Sequence, residues 1–166
     1  MLSKVEVMVK KTLCAGLFVM LAFVLIGCAE KLEAPIADIV DITESVENVI
    51  GFDTDYMTRA DRQYVFERIS IDAEAITDYV MKLPTGMNQN EYGVFIAEKG
   101  HEKELEDAVL AYLDFRKEVW DEMYLPEEGF KIDNAEHGRQ GRYIYYAIGC
   151  DSFKEIEEIF KELTKA

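Results

Sequence analysis

Cysteine is nearly absent from this sequence, and the three that occur do not make a framework. Cys14 lies inside an N-terminal apolar run, Cys28 stands just beyond its end, and Cys150 is left with no intramolecular partner. That excludes a disulfide-stapled scaffold. Cys150 follows a run of apolar and aromatic residues, which predicts a buried, inert thiol. Histidine is scarcer, with two. His101-Glu102 opens like the H-E-x-x-H zinc motif, but Leu105 stands where the second imidazole must be. His137 is remote in sequence and beside a turn. Asp53-Thr54-Asp55 starts like a calcium loop, yet Met57 takes a ligand position and Thr58 the place of the required glycine, so a helix-entry turn is expected. No G-x-S-x-G, P-loop or Rossmann glycine pattern occurs. No catalytic residue, metal site or cofactor is therefore expected. Glu127-Glu128 and Glu157-Glu158 would serve as catalytic carboxylates only if one of each pair were desolvated, and their polar surroundings predict solvated faces.

Positive charge is the next deficit. The chain has 18 Lys and Arg against 33 Asp and Glu, a formal net charge of −15. Setting aside Lys4, Lys10, Lys11 and Glu6 of the leader leaves 15 basic and 32 acidic groups, a net of −17. Such a body is repelled by phosphate backbones and anionic head groups, which argues against nucleic-acid binding and against lying flat on a membrane. The charge is read as a solubility device.

Long apolar runs are also missing, with one exception. Leu13 to Ile26 is 14 apolar residues behind three lysines. This is signal-peptide length, short of the roughly 20 residues that span a bilayer. It closes on Leu25-Ile26-Gly27-Cys28, which matches a lipobox: an aliphatic residue, a tolerant position, a small residue, then cysteine. The Cys28 thiolate would accept a diacylglyceryl group, and small Gly27 would let a peptidase cut before the modified residue. No twin arginine precedes the run, so the general secretion route is expected. Two acyl chains anchor stably where one is marginal. The expected organisation is a signal peptide over 1–27, a lipid-anchored tether over 28–35, and one domain over 36–166. Its address is the extracytoplasmic side of the cell membrane. A mature chain of 139 residues buries roughly two thirds of its unfolded surface, enough for one core.

Within the domain, Ile39, Ile42, Val46 and Val49 recur at helical steps, with Gly51 where a C-terminal cap belongs. Thr58 to Arg68 reads as a second helix, with Thr58 as cap and Asp61 three residues on. Ile76 to Leu83 and Glu91 to Glu98 read as strands around Pro84-Thr85-Gly86. The second carries Tyr92, Val94 and Ile96 on one side and Phe95 and Ala97 on the other. His101 to Met123 is the longest helix, with Leu105, Ala108, Val109, Tyr112, Phe115, Val119 and Met123 as its apolar stripe. Phe130 to His137 and Arg142 to Gly149 read as a second hairpin across Gly138-Arg139-Gln140-Gly141. Ser152 and Glu155 form a capping box for a last helix. The expected fold class is α+β. It has an antiparallel four-stranded sheet in ββαββα order with both helices on one face, preceded by N-terminal helices that complete the core or cover an edge.

Three segments carry a family resemblance: Glu91-Tyr92-Gly93-Val94-Phe95, Trp120-Asp121-Glu122-Met123-Tyr124-Leu125-Pro126-Glu127, and Gly141-Arg142-Tyr143. In their order and spacing the chain resembles a family of small bacterial lipoproteins, domain of unknown function 4358, over residues 36–162. The resemblance implies a shared fold and a surface location. The family has no established activity, so no catalytic residue is implied.

Two function classes follow. The first is a non-catalytic binding or interaction module, monomeric, with an envelope protein or a glycan as partner. It requires an aromatic, mostly neutral groove or open sheet face. The alternative is a small envelope hydrolase with a carboxylate site, which requires a cleft with two carboxylates, one desolvated. The first is preferred because no nucleophile–base pair is visible. If Ile144 and Ile148 face the helices, alternation puts Tyr143 and Tyr145 on the open sheet face as the expected binding surface.

Overall fold

Val, Ile, Tyr and Phe crowd two stretches, and both become the middle of a sheet in the computed structural model, which describes residues 37–120 and 124–165. These are β3 (Glu91–Ala97) and β5 (Tyr143–Ile148), and every residue of both is buried. A strand buried on both sides needs a layer on each face. Around them the chain runs α1 (Ile39–Glu47), β1 (Thr58–Arg59), α2 (Arg62–Ile69), β2 (Ile76–Leu83), β3, α3 (Glu102–Val119), α4 (Pro126–Asp133), β4 (Glu136–Gln140), β5 and α5 (Phe153–Leu163). The sheet has five strands in the order β1-β2-β3-β5-β4, every neighbouring pair antiparallel. The leader, Gly27, Cys28 and the tether lie outside the described residues, as does the expected helix end at Met123. No described helix is long and apolar enough to cross a membrane.

The α+β class and the antiparallel sheet stand. The layering is corrected: helices cover both faces. One core joins Val65 and Ile69 of α2, Leu105, Val109 and Tyr112 of α3, and Ile132 of α4 to Met81, Phe95, Ile144 and Tyr146. The other joins Ile42 and Val46 of α1 and Ile156 and Phe160 of α5 to Val80, Tyr92, Val94, Tyr143 and Tyr145. Apolar residues on both sides of β3 and β5 are the cause, since each face has to be removed from water.

Three local differences have physical reasons. Thr58 does not cap a helix. Thr58 and Arg59 pair with Leu83 and Lys82 as an edge strand, and the Asp61 carboxylate caps α2 by accepting from the Tyr64 amide. Aspartate caps as well as threonine does. The expected strand from Phe130 begins instead as helix α4. Pro126 sits in its first turn with Glu127 and Glu128, all three favoured at a helix N-terminus. Only the polar tail Glu136–Gln140 pairs, as an edge, and the hairpin loop shrinks to Gly141-Arg142, with Gly141 at φ +58°. In β2 a bulge between Ile76 and Asp78 puts Ile76 in the same core as Met81, where strict alternation would have placed it with Val80. Ser152 stands at the start of α5, but its side chain makes no cap bond.

Candidate functional site

The inward phase of α3 runs Leu105, Val109, Tyr112, and the next position in that phase is Arg116. A cation is thus carried to the sheet, where it meets the first residue of β3. Glu91 is 0% exposed, and both its carboxylate oxygens are held by three side chains. Its Oε1 accepts from the hydroxyls of Tyr112 and Tyr146, each at 2.6 Å, and its Oε2 takes an ion pair with Arg116. The Arg116 guanidinium also donates to the Tyr112 hydroxyl at 3.2 Å and to Gln89 Oε1 at 2.8 Å. Burial, reinforced by the Glu91 charge, holds both tyrosines well above the ordinary phenol range. Burial pulls Arg116 the other way, but the Glu91 carboxylate together with the Tyr112 and Tyr146 hydroxyls outweighs it and keeps the guanidinium charged.

Arg116 is not sealed in. It borders a surface cleft of about 380 Å³ between α2, the C-terminal half of α3 and the end of β2. Tyr64, Phe115 and Trp120 supply aromatic walls, and Arg68, Arg116 and Gln89 supply polar groups. The Arg68 guanidinium lies 5.5 Å from the Tyr64 ring centroid and 5.9 Å from that of Phe115. Among the described lining residues none is acidic. Phe115 and Val119, expected in the core stripe of α3, are 39% and 57% exposed and form the rim. Trp120 packs its indole Nε1 against Gly129 of α4, where an added Cβ would lie 2.7 Å away. The floor is tied to the same helix: the Gln89 amide donates to Glu128, which is paired with Lys131. Burial pushes the Glu128 carboxyl up, but these two partners outweigh it and set it below its usual range.

Tyr143 and Tyr145 are elsewhere. They are 4% and 3% exposed, and the face expected to be open is covered by α1 and α5. Tyr145 stacks on Phe160 with centroids 3.8 Å apart and planes 6° apart, and the Tyr143 hydroxyl accepts from the Ala37 amide at 3.0 Å. They are core residues, and the expectation of a tyrosine binding face is withdrawn. Burial pushes the Tyr145 phenol up to about 12, helped by Glu157.

The remaining sequence candidates stay apart from the cleft lining. His101 is half-buried and paired with Glu104 at 2.7 Å, and Leu105 is fully buried. Asp53 forms a turn with the Asp55 amide, leading into β1 and not into a helix. Glu157 and Glu158 both pair with Lys161. Cys150 is half-buried, and burial, with nearby Glu136 and Asp151, raises its thiol. Among the described residues no group of three His, Cys, Asp or Glu side chains is placed to hold a metal ion. The cleft was missed because its cations are far apart in sequence and look like ordinary helix-surface charges. The available signal was Arg116 in the buried phase of α3.

Comparison with curated proteins and with solved structures gives no match. The family model does match, over residues 52–149, a segment that holds every residue of the cleft and of the Glu91 cluster and leaves α1 and α5 outside. This chain belongs to the family described as Domain of unknown function (DUF4358).

Proposed function

We propose that this is a lipid-anchored binding protein of the extracytoplasmic membrane surface, and that it binds through the cleft beside α3 without catalytic chemistry of its own. The observation that carries the reading is a set of two guanidiniums among aromatic walls, one of them braced by a fully buried carboxylate. A braced arginine presents its free N–H groups in a fixed geometry, so little ordering cost remains when an acceptor arrives. Glu91 is poorly suited to acid–base or nucleophilic work, because three donors already hold its oxygens. The hydrolase alternative requires paired carboxylates facing one cleft, and the described lining offers none. The address rests on Leu25-Ile26-Gly27-Cys28 behind its apolar run.

Two experiments test this. Amide chemical-shift mapping of the protein against a fragment library is expected to concentrate shifts at residues 64–68, 83–91 and 112–120. Shifts gathered around α5 and β4 would refute the cleft as the binding surface. For the anchor, Cys28→Ser should abolish labelling by a palmitate analogue and leave an unprocessed precursor. Equal label in mutant and wild type would sink it.

A further inference from the structure

We infer that the cleft takes a small organic monocarboxylate with an apolar or aromatic body, its carboxylate seated on Arg68 and its body against the aromatic wall. This rests on the cleft being the binding surface. The argument starts from charge pairing. The chain has nearly two acidic residues for each basic one, and Lys82, Lys103, Arg116, Lys131, Arg139 and Arg142 each have an acidic partner. Arg68 has no ion pair or hydrogen bond among the described residues; Arg62 and Lys154 share that state but lie outside the cleft lining, so Arg68 is the cleft's unpaired cation among the described residues. Its guanidinium is within cation–π range of two rings, Tyr64 and Phe115. Rings engage the face of a guanidinium, whereas its N–H donors lie along the edge, in the fork that matches a carboxylate.

The count of charges sets the valence. Arg116 is balanced by Glu91, so the described lining residues carry one uncompensated positive charge, that of Arg68. A monoanion neutralises it. A phosphate dianion would leave an unbalanced charge inside the field of a strongly acidic molecule. Arg116 still has donors beyond those given to Glu91, Tyr112 and Gln89, which can serve the second carboxylate oxygen. The volume, about 380 Å³, suits a compact ligand, and mixed aromatic walls with a few polar groups are what such sites present.

Trp120 lines the cleft and is the single tryptophan of the chain, so its emission reports occupancy without a label. The full-length protein in phosphatidylcholine vesicles is titrated with 3-phenylpropionate, with its neutral amide, and with acetate. The acid should shift Trp120 emission at a concentration about tenfold or more below the amide, the worth of one charge-assisted pair. Acetate should do little, because it lacks the body. Arg68→Met should erase the difference between acid and amide. Arg68 is exposed, so this variant should keep the wild-type circular dichroism. Equal titration by acid and amide would overturn the inference while leaving the cleft as a binding surface. No response to either, combined with fragment shifts outside the cleft, would overturn both. An acetylated tripeptide with a free C-terminus binding tenfold tighter than 3-phenylpropionate would overturn the small-molecule assignment in favour of a protein tail.

Discussion

Glu91→Gln tests whether the buried charge cluster organises the cleft or merely fills space beneath it. The substitution keeps the shape and removes the charge. The amide can still accept through one oxygen, but its NH₂ would then point at hydroxyls or a guanidinium that are themselves donating to this residue. Arg116, whose side chain is 13% exposed, would keep its charge and lose its counter-ion. Removing one partner of such a pair costs about 3–5 kcal/mol. Against a total stability of roughly 5–15 kcal/mol, that is a large fraction. For a domain of this size it corresponds to a fall in Tm of roughly 10–20 °C. Urea unfolding followed by Trp120 emission measures it. The double variant Glu91→Gln, Arg116→Leu should recover part of the loss, because no buried charge is then left unpaired, and the cycle should show coupling of about 2 kcal/mol or more. A single-variant loss under about 1 kcal/mol, or strict additivity in the double variant, would refute the view that the pair is desolvated and coupled.

Two further outcomes follow from the tyrosines. Tyr145→Ser should destabilise by about 3–5 kcal/mol, the usual cost of emptying an aromatic core site, because the ring stacks on Phe160 and also lies over Gly138, where a Cβ would approach it to 2.6 Å. An unchanged urea midpoint would return Tyr145 to the surface. The alkaline limb follows from Tyr112, Tyr146 and Tyr145, whose folded pKa values lie above the unfolded value near 10. With folded values raised, the unfolded chain loses these protons first, so their contribution is complete below about pH 10 and falls as pH rises towards 12 and beyond. Stability measured by urea between pH 8 and 11.5 should be level at first and then decline.

The parts of the fold that were legible are those in which local pattern and tertiary need agree. In β3 the alternation of Tyr92, Val94 and Ile96 with Phe95 and Ala97 gives the strand, and the structure puts those two sets in different cores. The same alternation already carries the information that both faces are buried. Counting one apolar stripe for each of two helices hides it, because the N-terminal helices are left to complete the core or cover an edge and the segment from Phe130 reads as a strand. Phe130 and Ile132 suit a strand by propensity, yet Pro126 and the two glutamates after it bias the segment to a helix, with Phe130 left exposed and Ile132 buried. The capping of α2 failed by three residues because two residues able to cap lie close together. What decides between them is the hydrogen bond from the Ala60 amide to the Met81 carbonyl, which holds the chain extended until Asp61. That bond spans 21 residues of sequence, and no window around Thr58 contains it.

The cleft was illegible for a related reason. Two of its rim residues read as core, since Phe115 and Val119 fit a stripe with Leu105 and Val109 at helical spacing. A stripe has a width, however, and α3 rotates past its own contact line within its 18 residues. Tyr112 and Arg116 take the inward phase in the third and fourth turns, which displaces Phe115 and Val119 to the side. Arginine is placed at an inward position at a cost, and the cost is tolerable here because Glu91 opens β3 opposite it and two hydroxyls complete the shell. The apolar side chains moved aside stay exposed, and Arg68 of α2 lies against Phe115. Buried charge and exposed apolar rim are thus one arrangement: the ion pair that turns α3 inward at Arg116 is what leaves an aromatic wall facing water.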